Sequence, residues 1–277
     1  MKKWARLVPV LAVAAALLST TGCNWLMARD QLNKGIRAFK AGDYPGSIKN
    51  FQEALRRDKN LKVAKLYLAT AYMQQYVPEM QTPENENNAQ QAIQNYKEVL
   101  SQNPDLQIRV TALKSLASLY MSMKKFDDSA DYYRKAIDAD PNDPEAYYSV
   151  GVIDWSAVYK DVTERKAAVG LKIEEPLKSR EICEQIKSVD GPKIEDGMNM
   201  LQKAMEKRAD YDDAMTYVNL LYHRKADTEC GDPKAYQDDI KMANDWVDKA
   251  MAARKKKLEE AAKKTNGGIV IDQTKGK

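Results

Sequence analysis

The chain is poor in the residues that make metal and redox chemistry. It holds one histidine, His223, in 277 residues, so a histidine-based metal cluster is excluded. Its three cysteines, Cys23, Cys183 and Cys230, form no paired-cysteine motif. Glycine and proline are scarce, at 12 and 10 residues. Leucine, alanine, lysine and glutamate-type residues dominate instead, which favours helices. No glycine loop cradles a phosphate and no nucleophile elbow is present. The sequence therefore reads as a protein without an active site, a metal or a cofactor.

Charge is unevenly spread. Residues 1–22 carry Lys2, Lys3 and Arg6 and no acid, and residues 252–277 carry eight bases against three acids. The body between them is mildly acidic, which is not a nucleic-acid-binding profile. Acidic pairs stand at Asp127–Asp128, Asp212–Asp213 and Asp238–Asp239. The first two sit at expected helix starts, where carboxylates cap the backbone and complement the dipole. The third falls just before or early in a helix.

The opening "MKKWARLVPVLAVAAALLSTTGC" places positive charge before an apolar run, Leu7 to Leu18. That run is shorter than the roughly 20 residues a membrane-spanning helix needs, and its order fits a secretory signal over 1–22. "STTGC" resembles a bacterial lipobox, with Gly22 and Cys23 matching and Thr20 standing where leucine is usual. The resemblance implies lipidation at Cys23, and Asn24 after it looks like the outer-membrane sorting pattern. The expected address is the bacterial cell envelope, lipid-anchored and facing the periplasm. Residues 23–28 read as a tether of about 18 Å at most, and Trp25, Leu26 and Met27 suit a membrane interface.

A pattern then repeats. "GDYPGSIKNFQEALRRDKN" from Gly42 and "KKFDDSADYYRKAIDADPN" from Lys124 share an aromatic, a small residue, a second aromatic and an alanine in one register. Tyr44, Ser47, Phe51 and Ala54 answer to Phe126, Ser129, Tyr133 and Ala136. The register returns at Ala92, Tyr96 and Val99, at Gly197, Leu201 and Ala204, and at Ala243, Val247 and Ala250. Spacings of four and three place these residues on one helical face. The pattern resembles the tetratricopeptide repeat, a helix–turn–helix unit, over residues 28–257. The resemblance implies an all-α solenoid of about five repeats, roughly 28–61, 62–106, 110–143, 144–211 and 212–257. A basic, mostly disordered tail is expected over 258–277; "ARKKKLEEAAKK" at its start reads as a solvated helix end, with contact to anionic lipid or wall polymer as the alternative.

Three repeats exceed their template between the two helices. The extra residues are "QQYVPEMQTPENENN" in the second, about Ser156 to Lys193 in the fourth, and "KADTECGDP" in the fifth. Insertions at a fixed point of a repeat often mark a binding face. Once Cys23 is acylated, Cys183 and Cys230 remain, one in the fourth insertion and one in the fifth. A disulfide between them is expected in an oxidising compartment.

In this repeat family, the first helix of each unit lines the concave face. The resemblance therefore implies a groove of Leu32, Ile36 and Phe39; Val63, Leu66, Thr70 and Met73; Thr111, Lys114, Ser118 and Met121; Tyr148, Val152 and Trp155; and Thr216, Leu220 and His223. The lysine and asparagine that clamp a terminal carboxylate in chaperone-binding members are absent; Leu32 and Ile36 stand there. Such a groove suits an extended or helical apolar peptide. The expected function is a membrane-anchored scaffold that binds envelope proteins, in assembly of an outer-membrane or secretion complex. The alternative is a non-catalytic accessory subunit or regulator of a cell-envelope enzyme. No nucleic acid or small-molecule substrate is expected.

Overall fold

Helix after helix begins at a side chain able to replace a missing backbone partner. Asp43 accepts from Gly46 N at 2.9 Å, Asp105 from Ile108 N at 3.0 Å, and Asp143 from Glu145 N at 3.0 Å. Thr82 and Ser179 do the same for Asn85 and Ile182. Each closes a donor that the first helical turn leaves open. In a computed structural model, which describes the backbone over residues 7–266 and side chains over 24–263, ten helices result. They are α1 (Leu7–Lys40), α2 (Tyr44–Arg57), α3 (Lys62–Gln75), α4 (Pro83–Ser101), α5 (Leu106–Ser122), α6 (Phe126–Ala139), α7 (Pro144–Ala168), α8 (Arg180–Lys207), α9 (Asp212–Ala226) and α10 (Pro233–Asn266). No strand occurs among the described residues. The fold is all-α, built of helix–turn–helix pairs.

The chain divides into two compact units, one up to Lys125 and one from Phe126. The boundary falls between α5 and α6, so the expected third repeat gives one helix to each unit.

In the first unit, Ile48, Phe51, Leu68 and Ala71 form a buried cluster. Gly35 lets α1 approach it: a Cβ there would lie 2.4 Å from the Phe51 ring. Tyr96, fully buried, donates to Thr70 Oγ1 at 3.0 Å. The second-repeat insertion is braced rather than loose. Asn85 accepts from Val77 N at 2.7 Å and donates to the carbonyls of Val77 and Met80. Lys124 bonds to Glu79 on the same loop. Helix α1 runs unbroken through the expected tether, since nothing between Asn24 and Arg29 breaks a helix. The Cys23 side chain lies outside the described residues, as do those of the expected signal segment. Among the described residues, no helix is long and apolar enough to cross a membrane.

In the second unit the core joins Val158, Val162, Ile186, Ile194, Leu201, Val218 and Leu221. The fourth insertion, expected as a segment between two helices, is mostly helix. It lengthens α7 and α8 to 25 and 28 residues, leaving 169–179 as the link. The cause is spacing. Val158, Val162 and Lys166 recur every four residues, and Cys183, Ile186, Asp190 and Ile194 every three or four. Both sets are buried.

The first part of the tail expected to be disordered is helical instead. Helix α10 continues to Asn266, and 267–277 lie outside the described residues. Its basic stretch is used: Arg254 and Lys257 bond to the buried Asp212 at 3.0 and 2.6 Å. Lys255 and Lys256 pair with Glu259 and Glu260 one turn on, the spacing that supports an exposed helix.

Candidate peptide-binding site

Helices α7 and α9 set aromatic side chains against one another. Tyr148 lies 4.9 Å from Tyr211 and 5.7 Å from Tyr217, ring centre to ring centre. Trp155 lies 5.2 Å from Tyr217 and 5.1 Å from Tyr159. Five rings thus form a ladder, tilted or edge-on, in the geometry aromatic pairs favour. Tyr211 donates to Glu145 at 2.7 Å. Burial pushes the Tyr148 and Tyr211 hydroxyls upward, so both stay protonated donors.

The ladder ends at a cavity of about 490 Å³. Trp155, Tyr159, Ile173, Leu220, Tyr236 and Ile240 give it apolar walls, and His223, Gln237 and Glu174 add polar edges. Burial, then the Arg224 charge, lowers the His223 pKa. At neutral pH this imidazole is neutral, with one donor and one acceptor.

The far wall is the link from α7 to α8. Lys166, 1% exposed, spends its three ammonium protons on the carbonyls of Ile173 and Glu175, at 2.8 Å each, and on Asp227 Oδ1 at 2.6 Å. Arg224 faces the other Asp227 oxygen at 2.9 Å. Burial lowers the Lys166 pKa and raises that of Asp227, each opposed by its partner. Both carry charge in contact with the other, so the cluster is a latch: it holds the link down on α9. Cys183 and Cys230 are joined by a disulfide, Cα to Cα 5.5 Å across 47 residues, and pin the start of α8 beside it. A lysine with every donor committed has no lone pair to offer chemistry.

Of the residues placed in the groove by sequence, Trp155, Leu220 and His223 share this cavity. Tyr148 belongs to the ladder, and Val152 is half-buried on the same helix. Thr216 turns its hydroxyl back to the Asp212 carbonyl. The first-unit residues are more committed to packing than their spacing suggests. Leu32, Ile36 and Phe39 pack on the buried cluster around Phe51, with Phe39 edge-on to Tyr44 and Tyr67. Thr70 and Met73 accept from Tyr96. Leu66, Thr111, Lys114 and Met121 are half-buried, while Val63 and Ser118 are exposed. Lys166, Ile173, Arg224, Asp227 and Tyr236 were not legible as site residues. The signal for Lys166 was present: a lysine in register with Val158 and Val162 marks a buried cation that needs a partner.

Residues 32–76 and 85–150 match tetratricopeptide-repeat profiles. Those two segments carry tetratricopeptide repeats. A curated relative, the photosystem I assembly protein Ycf3 of Synechococcus sp. (strain CC9605), is 29% identical over 87 residues, which is 31% of this chain. The match takes in 50% of that relative, so the chain spans about half its length. Among solved structures, the MamA protein superposes with a TM-score of 0.57 at 16% identity, over 84% of this chain and 94% of MamA. MamA 41-end from Desulfovibrio magneticus RS-1 gives 0.54 at 16% identity, over 83% and 96%. At that identity the likeness is one of fold. Small residues stand where helices touch: a Cβ on Gly151 would sit 2.5 Å from Leu201. The Lys166 latch and the disulfide lie outside the matched residues and join the fourth insertion to the fifth.

Proposed function

We propose that this protein is a non-catalytic tetratricopeptide-repeat scaffold that captures partner proteins by an apolar peptide side chain seated in the α7–α9–α10 cavity. The observation that carries the reading is the cavity itself: apolar walls with a few fixed polar groups, held open by a latch on one side and an aromatic ladder on the other. Pockets of this make-up recognise ligands, and the rings present large contact area at little entropic cost.

We place it in the bacterial cell envelope, lipidated at Cys23 and facing the periplasm from the outer membrane, where it serves assembly of an outer-membrane or secretion complex. The charge order of residues 1–22 and Gly22–Cys23 support this address. So do Trp25, Leu26 and Met27, exposed on α1 at 52%, 64% and 49%, which suit an interface next to a lipid.

A photo-crosslinking residue at position 159, in membranes from the native host, tests both parts. The expected product is a defined crosslinked envelope protein, competed by peptides from it. The same residue at Lys160, exposed and one position on, serves as control. Equal crosslinking at both positions overturns the cavity as the site. Membrane release of a Cys23→Ser variant tests the anchor separately, and equal membrane retention refutes it.

A further inference from the structure

Helices α7 and α8 bring four carboxylates together in two pairs. Asp154 lies within hydrogen-bonding reach of Asp196, and Asp190 of Asp161. Asp154 and Asp190 are 6% and 3% exposed, and the buried Oδ2 of each accepts from no donor. Two ionised carboxylates in contact in a dry seam repel; the contact becomes an O–H···O bond when one holds a proton.

The surroundings decide which one. From α6, Arg134 bonds to Asp196. On α7, Arg165 bonds to Asp161, and Lys160 is near it. Lys193 of α8 lies near both buried carboxyls and reaches Asp127 of α6 at 3.5 Å. Helix α9 presents Leu221 there, against Gly197. Each pair thus has one carboxylate held by an arginine and one without such a partner. The arginine-bound member of each pair is already engaged as an acceptor; Asp154 and Asp190 are left to carry the protons.

We propose that the α7–α8 seam is a proton-operated clasp: protons on Asp154 and Asp190 bond the helices at two points, and their loss sets like charges face to face and loosens the seam. Burial, then the facing carboxylate, pushes the pKa of Asp154 up to about 7, and Asp190 is raised to about 7 as well, by burial and then by Asp161. Helix α8 has a built-in weak point beside the second pair, because Pro192 has no N–H for the Ser188 carbonyl. The loosened helix α7 also carries Trp155 and Tyr159, so the clasp acts on the cavity wall. The clasp goes beyond peptide binding and holds whether or not a peptide occupies that cavity.

Amide hydrogen exchange of the full chain, as protection factors corrected for intrinsic rates, tests it. Protection of α7 and α8 is expected to fall roughly tenfold or more between about pH 5.5 and about pH 8.5, while α2 and α3 show no such loss. The Asp154→Asn, Asp190→Asn double variant keeps the bonds without the charge, and should hold high protection at both pH values. A flat wild-type profile, or a double variant with the wild-type pH dependence, overturns the clasp. If the double variant does not fold, each single variant should remove about half of the dependence. Single variants that both leave it intact also overturn the clasp. No step uses a peptide, so the result is independent of partner capture.

Discussion

Lys166 Nζ and Asp227 Oδ1 meet 2.6 Å apart with both side chains almost wholly buried. Removing one partner strands the other charge in a dry site. Lys166→Ala or Asp227→Ala alone should cost about 3–5 kcal/mol. Lys166→Met with Asp227→Leu should cost less than either, since no charge is left behind. Urea unfolding midpoints of the four proteins check this. Equal loss in single and double variants would show that packing, not charge, dominates.

The disulfide acts on the same link from its other end. Replacing both Cys183 and Cys230 by serine should lower stability by about 2–4 kcal/mol, because the 47-residue separation is no longer closed in the unfolded chain. Oxidised wild type, reduced wild type and the double variant are compared by chemical denaturation. The last two should agree.

Asp212 opens α9 and takes hydrogen bonds from Lys257 and Arg254. Those bonds, the Lys257 one foremost, hold its carboxyl below the usual aspartate range. A folded-state pKa below the unfolded one adds stability above the ordinary aspartate pKa and loses it as pH falls. Asp212→Asn should therefore cost about 1–3 kcal/mol at neutral pH. The gap in melting temperature should begin to close as pH falls below about 4 and vanish once pH passes below the lowered folded-state pKa. A gap that persists in acid would assign the effect to something other than charge.

Gly151 and Leu201 share one volume. Gly151→Ala should destabilise by about 1–3 kcal/mol through overpacking. Leu201→Ala in that background should cost less than it does alone, because the new methyl enters the space vacated. Additive losses would refute the contact as the cause.

Phe39 and Tyr159 separate packing from capture. Phe39→Ala removes a ring held between Tyr44 and Tyr67 and should cost about 3 kcal/mol. Tyr159, 39% exposed at the cavity mouth, should change stability by less than about 1 kcal/mol as Tyr159→Ser while weakening partner capture. Melting curves and crosslinking yields are read side by side.

The paired helices were legible because their signal is local and repeated. Tyr44, Ser47, Phe51 and Ala54 recur at helical spacing, and Asp43, Asp105 and Asp143 stand at the caps. The boundary between units was not legible, since no change of composition marks Lys125. By the repeat template the fourth insertion falls between two helices. Its periodicity is continuous with α7 on one side and α8 on the other, and Pro192 looks like a break although it lies inside α8. Within the site, Trp155, Leu220 and His223 follow from position in the repeat. Lys166 and Asp227 are 61 residues apart and join only through the folded link. The partner of Asp154 on α8 is likewise not legible from local spacing.

The aromatic ladder also makes the cavity an optical instrument. Trp155 sits within 5.2 Å of Tyr217 and 5.1 Å of Tyr159, well inside the range over which an excited tyrosine hands its energy to an indole. Light absorbed along the ladder is emitted by Trp155 at the cavity wall. Whatever enters beside it changes that emission in colour or yield. Trp25 and Trp246 lie under cations of their own, Arg29 and Lys249. With Trp4, Trp25 and Trp246 all replaced by phenylalanine, the unlabelled protein would report occupancy of its own cavity through Trp155.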